Sequence, residues 1–275
     1  MIPAAFDYVE ADSADAAIAA LTQHGDDAKL MAGGHSLIPL MKFRLATPGV
    51  VIDIGRISDL SYVREAGGHI AIGALTTHRE LEISQLLKAQ APMLAHVASK
   101  VGDPAVRHKG TLGGSIAHGD PASDLPAALL ALGGSVVAKG PNGEREIAAS
   151  DLFTGFLETA LAPDEMMTEI RVPNAANAGW SYQKFNRRAQ DWAIVAVAAL
   201  VPRNNDPARV ALVNMGPTPM TSSAVEAALA SGASIDDAAA VAAEGTSPPE
   251  DLNGDAEYRS HLARVLTKRA LTEAG

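Results

Sequence analysis

Apolar and polar positions follow two rhythms along this chain. Residues 13–25 (SADAAIAALTQHG) carry the helical spacing, with Ser13 placed as N-cap and Gly25 as stop signal. The following run, AKLMAG (28–33), is short and apolar, which predicts a buried strand leading directly into the glycines 33 and 34. SLIPLMKFRLATPG (36–49) has room for a short helix, and VVIDIG (50–55) is another strand. Two alternating runs flank Gly67-Gly68, the signature of a hairpin. Residues 77–101 are helical in composition, broken near Pro92, and lead to a second glycine-rich stretch, GDPAVRHKGTLGGS (102–115). A helix (DLPAALLALG, 124–133), a strand (SVVAKG, 135–140), a PNGE turn and a strand (REIAA, 145–149) follow.

The texture changes within RVPNAANAGW (171–180), where Pro, Asn, Gly and Ala replace periodic apolar positions. This places one domain at 1–175 and a second at 178–275. In the second, WSYQKFNRR, DWAIVAVAALV and ARVALVNMG read as three strands, the last two joined by the turn-rich PRNNDP (202–207), and two or three Ala-rich helices cover 222–273. Strands followed by helices predict an α+β fold.

Composition narrows the chemistry. A length of 275 residues with 47% apolar and 20% charged residues indicates a folded chain too long for a single small core. The absence of Cys removes disulfides, zinc-thiolate sites, a cysteine nucleophile and cysteine ligation of an iron–sulfur cluster, so any such cluster belongs to a partner. A formal charge of −10 argues against a nucleic-acid surface. With no basic leader and no apolar run approaching ~20 residues, the expectation is a soluble cytoplasmic protein.

The glycine pairs carry the candidate chemistry. A glycine pair after a strand bares backbone N–H groups, which close readily on an anion such as phosphate. A Rossmann site is excluded: Asp53 has the spacing of a ribose acid, yet the row Gly33-Gly34-His35-Ser36-Leu37-Ile38 lacks the third glycine. One such loop is equally a plain turn. Thr111-Leu112-Gly113-Gly114-Ser115 repeats the pattern, and two anion cradles suit a pyrophosphate, hence a dinucleotide on a different scaffold. Asp124 is placed either to accept from sugar hydroxyls or to cap the helix it begins.

AGGHSLIPLMKFRLA, TLGGSIAHGDPASDLPAALLAL and KFNRRAQDWAIVAVA together resemble the FAD-binding medium subunit of molybdenum hydroxylases, the xanthine oxidase family, and most closely the aerobic carbon monoxide dehydrogenase type. The resemblance implies an N-terminal FAD-binding domain of the vanillyl-alcohol-oxidase (PCMH) type with two α/β subdomains. It implies a C-terminal domain with a three-stranded antiparallel sheet and helices. It also implies partners: a large subunit with the molybdenum cofactor, a small one with two [2Fe–2S] clusters, a dimer of heterotrimers, and an acceptor such as a quinone, in the cytoplasm or at the inner face of its membrane. Carried over by position, Ala32, Gly33, Gly34, His35 and Ser36 form the first pyrophosphate loop, with Lys29 beside it. Thr111 to Ser115 form the second, with Asp124 near the ribose and adenine end. Lys184 stands near the isoalloxazine carbonyl oxygens, and Lys184→Met is expected to lower the flavin potential with the fold intact. Trp192 stands where an aromatic stacks beside the ring, without a phenol hydroxyl.

Blander readings stand beside these. His35, His108 and His118 lack the spacing of metal ligands, and Ser115, His118 and Asp124 lack a nucleophile elbow. Arg187-Arg188 is either a solvated pair or a contact for the partner that brings electrons. A module that binds another nucleotide without redox chemistry remains the alternative to an electron-transferring flavoprotein subunit, and purines, N-heterocycles or hydroxybenzoyl thioesters remain alternatives to carbon monoxide.

Overall fold

The computed structural model describes residues 2–204 and 206–275. The small first sheet is parallel, in the order Asp7–Glu10, Val50–Asp53, Ala28–Met31. The helix Ala14–His24 carries the chain from the first of these strands across to the last, with Val50–Asp53 between them, and lays Ala17, Ile18 and Leu21 against Val50 and Ile52. Its cap is the expected one: the Ser13 hydroxyl accepts from the Ala16 N–H at 3.3 Å.

The second sheet has five antiparallel strands in the order Val63–Ala66, His69–Gly73, Met166–Pro173, Ser135–Gly140, Gly143–Ala148. Gly67 and Gly68 turn the hairpin with φ of +56° and +91°, values that side chains resist. The central strand, Met166–Pro173, went unassigned in the pattern because it does not alternate. Met166 to Ile170 are all buried, so both faces are covered. One face packs beneath the helices Pro92–Lys100 and Asp124–Leu132, and every residue of the latter is buried.

The third sheet is antiparallel with four strands rather than three: Gly179–Phe185, Val195–Val201, Arg209–Val213 and Met220–Thr221. The additional strand is two residues long, too short to show a period in sequence. The expected strands are also shorter than their apolar runs. The first stops at Phe185, leaving Arg187-Arg188 beyond it, and the next begins only at Val195, leaving Asp191 and Trp192 in a loop. The turn expected at 202–207 includes Asn205, which lies outside the described residues.

Val195–Val201 explains why the two halves hold together. Ala196, Ala198 and Leu200 join the core of the second sheet, whereas Val195, Val197 and Ala199 join a core beneath the helix Ala256–Ala274. Buried on both faces, the strand reads as unbroken apolar sequence. One hydrophobic core therefore crosses the 174–178 connection.

Candidate functional site

A cavity of about 960 Å3 opens among the parallel sheet, the five-stranded sheet and the four-stranded sheet. Thirteen of the fourteen residues singled out in the sequence line it: Lys29, Ala32 to Ser36, Thr111, Gly113 to Ser115, Asp124, Lys184 and Trp192. The exception is Leu112, whose fully buried side chain belongs to the core.

The first glycine loop follows the strand Ala28–Met31 and precedes the helix Leu37–Lys42. Gly34 adopts φ +74°, in the left-handed region. Gly33 is required for another reason, since a Cβ there would collide with the Lys109 carbonyl oxygen. Among the described residues, the N–H groups of Gly33, Gly34, His35 and Ser36 meet no protein acceptor. They are available to an anion in the cavity.

The second stretch differs from its expected form. Thr111 to Ser115 is the first turn of the helix Leu112–His118, with Thr111 as N-cap accepting from the Gly114 N–H at 3.2 Å. Its other amides are engaged as well: Leu112 and Gly113 donate to the carbonyls of Thr76 and Ala74, and Ser115 to that of Thr111. This stretch forms a wall of the cavity, with the N–H groups of Leu112 to Ser115 spent inside the protein. Gly113 allows close packing, since a Cβ would press on Ala74 at 2.6 Å.

Asp124 does not cap its helix; it is the first helical residue, and Ser123 is the N-cap. Its buried carboxylate instead accepts from the Lys184 ammonium at 2.7 Å and the Tyr182 hydroxyl at 2.5 Å. Lys184 also donates to the Lys100 carbonyl at 3.1 Å. Burial pushes the Asp124 carboxyl above the usual carboxylate range, opposed by Lys184 and then Tyr182. Burial beside this carboxylate pushes the Tyr182 phenol far up, so it stays a donor.

Asp191 and Trp192 close one side of the cavity from the loop after Phe185. Gln190 there has φ +73°, and Arg188 pairs with Asp191 at 2.9 Å. Trp192 is 62% exposed, a large ring left facing open space.

Several lining residues were not foreseen, among them His78, Gly102, Asp103, Met166 and Met167. His78 is buried with no partner at Nδ1, and burial lowers its imidazole to about 4, so it is neutral at neutral pH. The capping box around it was legible: Thr77 accepts from the Glu80 N–H while the Glu80 carboxylate accepts from the Thr77 N–H. What the helix start faces was not legible. Other candidates fall away from the cavity. Asp53 accepts from the Tyr8 hydroxyl and the Gly55 N–H, and His108 lies 2.6 Å from the Pro104 carbonyl. The Ser115 hydroxyl pairs with that of Ser123 at 2.9 Å, with no hydrogen bond to His118, so no hydrolase triad forms.

Residues 4–175 match the FAD binding domain in molybdopterin dehydrogenase, and residues 180–274 match the CO dehydrogenase flavoprotein C-terminal domain. The chain belongs to the FAD-binding medium subunits of the molybdenum hydroxylases. It is 42% identical to the carbon monoxide dehydrogenase medium chain of Hydrogenophaga pseudoflava, over all of this chain and 98% of that one. It is 35% identical to the caffeine dehydrogenase subunit beta of a Pseudomonas species, over 100% and 96%. The solved carbon monoxide dehydrogenase of H. pseudoflava superposes with a TM-score of 0.96 at 44% identity, covering 100% of this chain and 98% of that one. Quinoline 2-oxidoreductase from Pseudomonas putida gives 0.92 at 30%, with the same coverage. The protein is thus a flavoprotein medium subunit of the carbon monoxide dehydrogenase type, part of an FAD-dependent oxidoreductase.

The residues present fit that cofactor. The cavity has the size of a small-molecule site, and one end carries a left-handed glycine loop with four unengaged N–H donors suited to a diphosphate.

Proposed function

We propose that this chain holds FAD in the cavity with Ala32 to Ser36 on the diphosphate, and that it relays electrons from two [2Fe–2S] clusters on a small subunit to an external acceptor. In this reading a large subunit holds the molybdenum cofactor and oxidises the substrate, and the complex is a dimer of such heterotrimers in the cytoplasm or at the inner face of its membrane. The observation that carries it is the row of free N–H groups at 33–36 in a cavity lined by nearly every expected residue. FAD supplies a two-electron store between the substrate site and the acceptor. Thr111 to Ser115 shapes the wall beside the diphosphate, and Lys29 flanks the first loop. Lys184 and Trp192 border the isoalloxazine end, and Asp124, expected near the ribose and adenine end, stands there instead because it pairs with Lys184, matching the lysine's charge and so softening its field on the ring.

Two further features support the finer fold. Separate parallel and antiparallel sheets before residue 175 suit two subdomains of a vanillyl-alcohol-oxidase (PCMH) type domain. Family matches ending at 175 and starting at 180 suit domains at 1–175 and 178–275. Among the described residues, no helix is long and apolar enough to cross a membrane. Carbon monoxide is the favoured substrate, because the medium chains named for it reach 42% and 39% identity over the whole chain, against 35% for the caffeine relative.

The test uses the complex purified with its partners. One flavin per medium subunit should be bound, and its visible absorbance should bleach under carbon monoxide but not under caffeine. A colourless complex, even after incubation with FAD, would instead favour a nucleotide-binding module without redox chemistry.

A further inference from the structure

Trp192 stands in the cavity wall with no support of its own. Among the described residues its indole makes no hydrogen bond, stacks on no other ring and joins none of the hydrophobic cores. The chain from 186 to 192 is bonded only to itself. The Asn186 side-chain amide donates to the Arg188 carbonyl at 2.6 Å, the Asp191 N–H donates to the same carbonyl at 3.1 Å, and Arg188 pairs with Asp191. Such contacts fix the shape of an exposed loop and leave its placement open. Placement is decided at the next two residues, Ala193 and Ile194, which are buried.

Two side chains from distant elements hold those residues. The Asn214 side-chain amide donates to the carbonyls of Ala193 and Ile194 at 3.1 and 3.3 Å, and the Arg259 guanidinium donates to the Ile194 carbonyl at 2.5 Å. Packing alone requires neither residue. Asn214 has φ +62°, a conformation that most side chains resist and Asn tolerates. Its backbone N–H donates to the Pro121 carbonyl at 2.7 Å, which ties the loop to the segment leading into Asp124. Arg259 is fully buried on the helix Ala256–Ala274, while its carboxylate partner, Asp251 at 2.7 Å, is half exposed. Burying a guanidinium is costly, and well-packed apolar side chains often serve as stably in such a place. What the arginine adds is a donor aimed at Ile194.

We infer that Asn214 and Arg259 are positioning residues for Trp192, acting through the carbonyls of Ala193 and Ile194 to set where the indole stands against the isoalloxazine end of the cavity. Its contact with the cofactor rests on the FAD reading above; the anchoring does not. The C-terminal domain thereby reaches the cofactor end through two residues that line neither glycine stretch. An indole held in advance contributes its full stacking surface, whereas a free one loses part of it to ordering.

The test has two arms. Trp180 and Trp192 are the chain's two tryptophans, so in the full-length chain carrying Trp180→Phe all indole emission comes from Trp192. Asn214→Gly, which keeps the left-handed φ accessible and removes the amide, should lower the anisotropy of that emission. Arg259→Lys, which keeps the buried charge and gives up the planar fork, should lower it too. Unchanged anisotropy in both overturns the anchoring. The second arm titrates FAD into the complex purified with its partners and stripped of flavin. Trp192→Leu should raise Kd about three- to tenfold, the worth of one aromatic contact, and Asn214→Gly by a comparable factor. The double variant should show no more than the larger single effect, because both act through one ring. An unaltered Kd in either single variant, or effects that multiply in the double, overturns the role at the cofactor. A wild-type complex that neither carries nor takes up flavin fails the FAD reading, and the anisotropy still decides the anchoring by itself.

Discussion

Lys184 and Asp124 lie 60 positions apart, yet they form the most consequential contact in the cavity, a buried ion pair at 2.7 Å. Lys184→Met, expected from sequence to act on flavin potential alone, would strand the Asp124 carboxylate without its counter-ion. Breaking such a pair costs about 3–5 kcal/mol. Urea unfolding of the variant should show a loss of that size, and Asp124→Asn combined with Lys184→Met should recover most of it. Recovery in the double variant would separate a structural effect from any effect on potential. His78 gives a pH prediction. Its folded value of about 4 lies below the unfolded 6.5, so between these the unfolded chain holds the extra proton and stability falls as pH drops. The full loss across that window is about 3 kcal/mol, and none of it is felt above the unfolded value. His78→Asn should therefore show a smaller decline in urea midpoint from pH 7 to pH 5 than the wild type does.

The two glycine stretches looked alike in sequence and became different elements. The first is a loop whose amides are free; the second is a helix start whose amides are used by Thr111, Thr76 and Ala74. A Cβ at Gly33 would collide with backbone at Lys109, whereas a Cβ at Gly114 would meet only the Thr111 hydroxyl, at 2.8 Å. Gly33→Ala should accordingly force the two stretches apart and abolish FAD retention, while Gly114→Ala should retain most of the flavin after gel filtration. Equal loss from both would mean that the second stretch contacts the cofactor as closely as the first. Propensity could not reveal this difference, because a glycine pair in a first turn and one in a loop obey the same local rules. The partner backbone decides between them.

At the scale of the molecule, the cavity belongs to neither half alone. Residues up to 175 supply the glycine stretches and Asp124, and the remainder supplies Lys184, Asp191 and Trp192. The same junction is sealed by the helix Asp124–Leu132 and the strands Val195–Val201 and Arg209–Val213. A fragment of residues 1–175 would expose the apolar face of that helix and the unpaired Asp124 carboxylate. It should aggregate in light scattering and retain no flavin, whereas the full-length chain assembled with its partners retains it.

The sequence by itself determined most of the elements. Local rules suffice for the Ser13 cap, the Gly67-Gly68 hairpin, the break at Pro92 and the glycine loop at 33–34, because each depends on neighbours within a few residues. It also determined which residues gather, since thirteen of the fourteen line one cavity through a resemblance spread over three motifs. The tertiary structure decided what those residues do there. Burial turned Asp124, expected as a sugar-hydroxyl acceptor or a helix cap, into the partner of Lys184, and packing against Ala74 turned a loop into a helix start. The strand Met166–Pro173 and the pair Met220–Thr221 were hidden for related reasons: one is covered on both faces and loses its alternation, and the other is too short to have any. Those outcomes depend on contacts between segments distant in sequence, which no local pattern encodes.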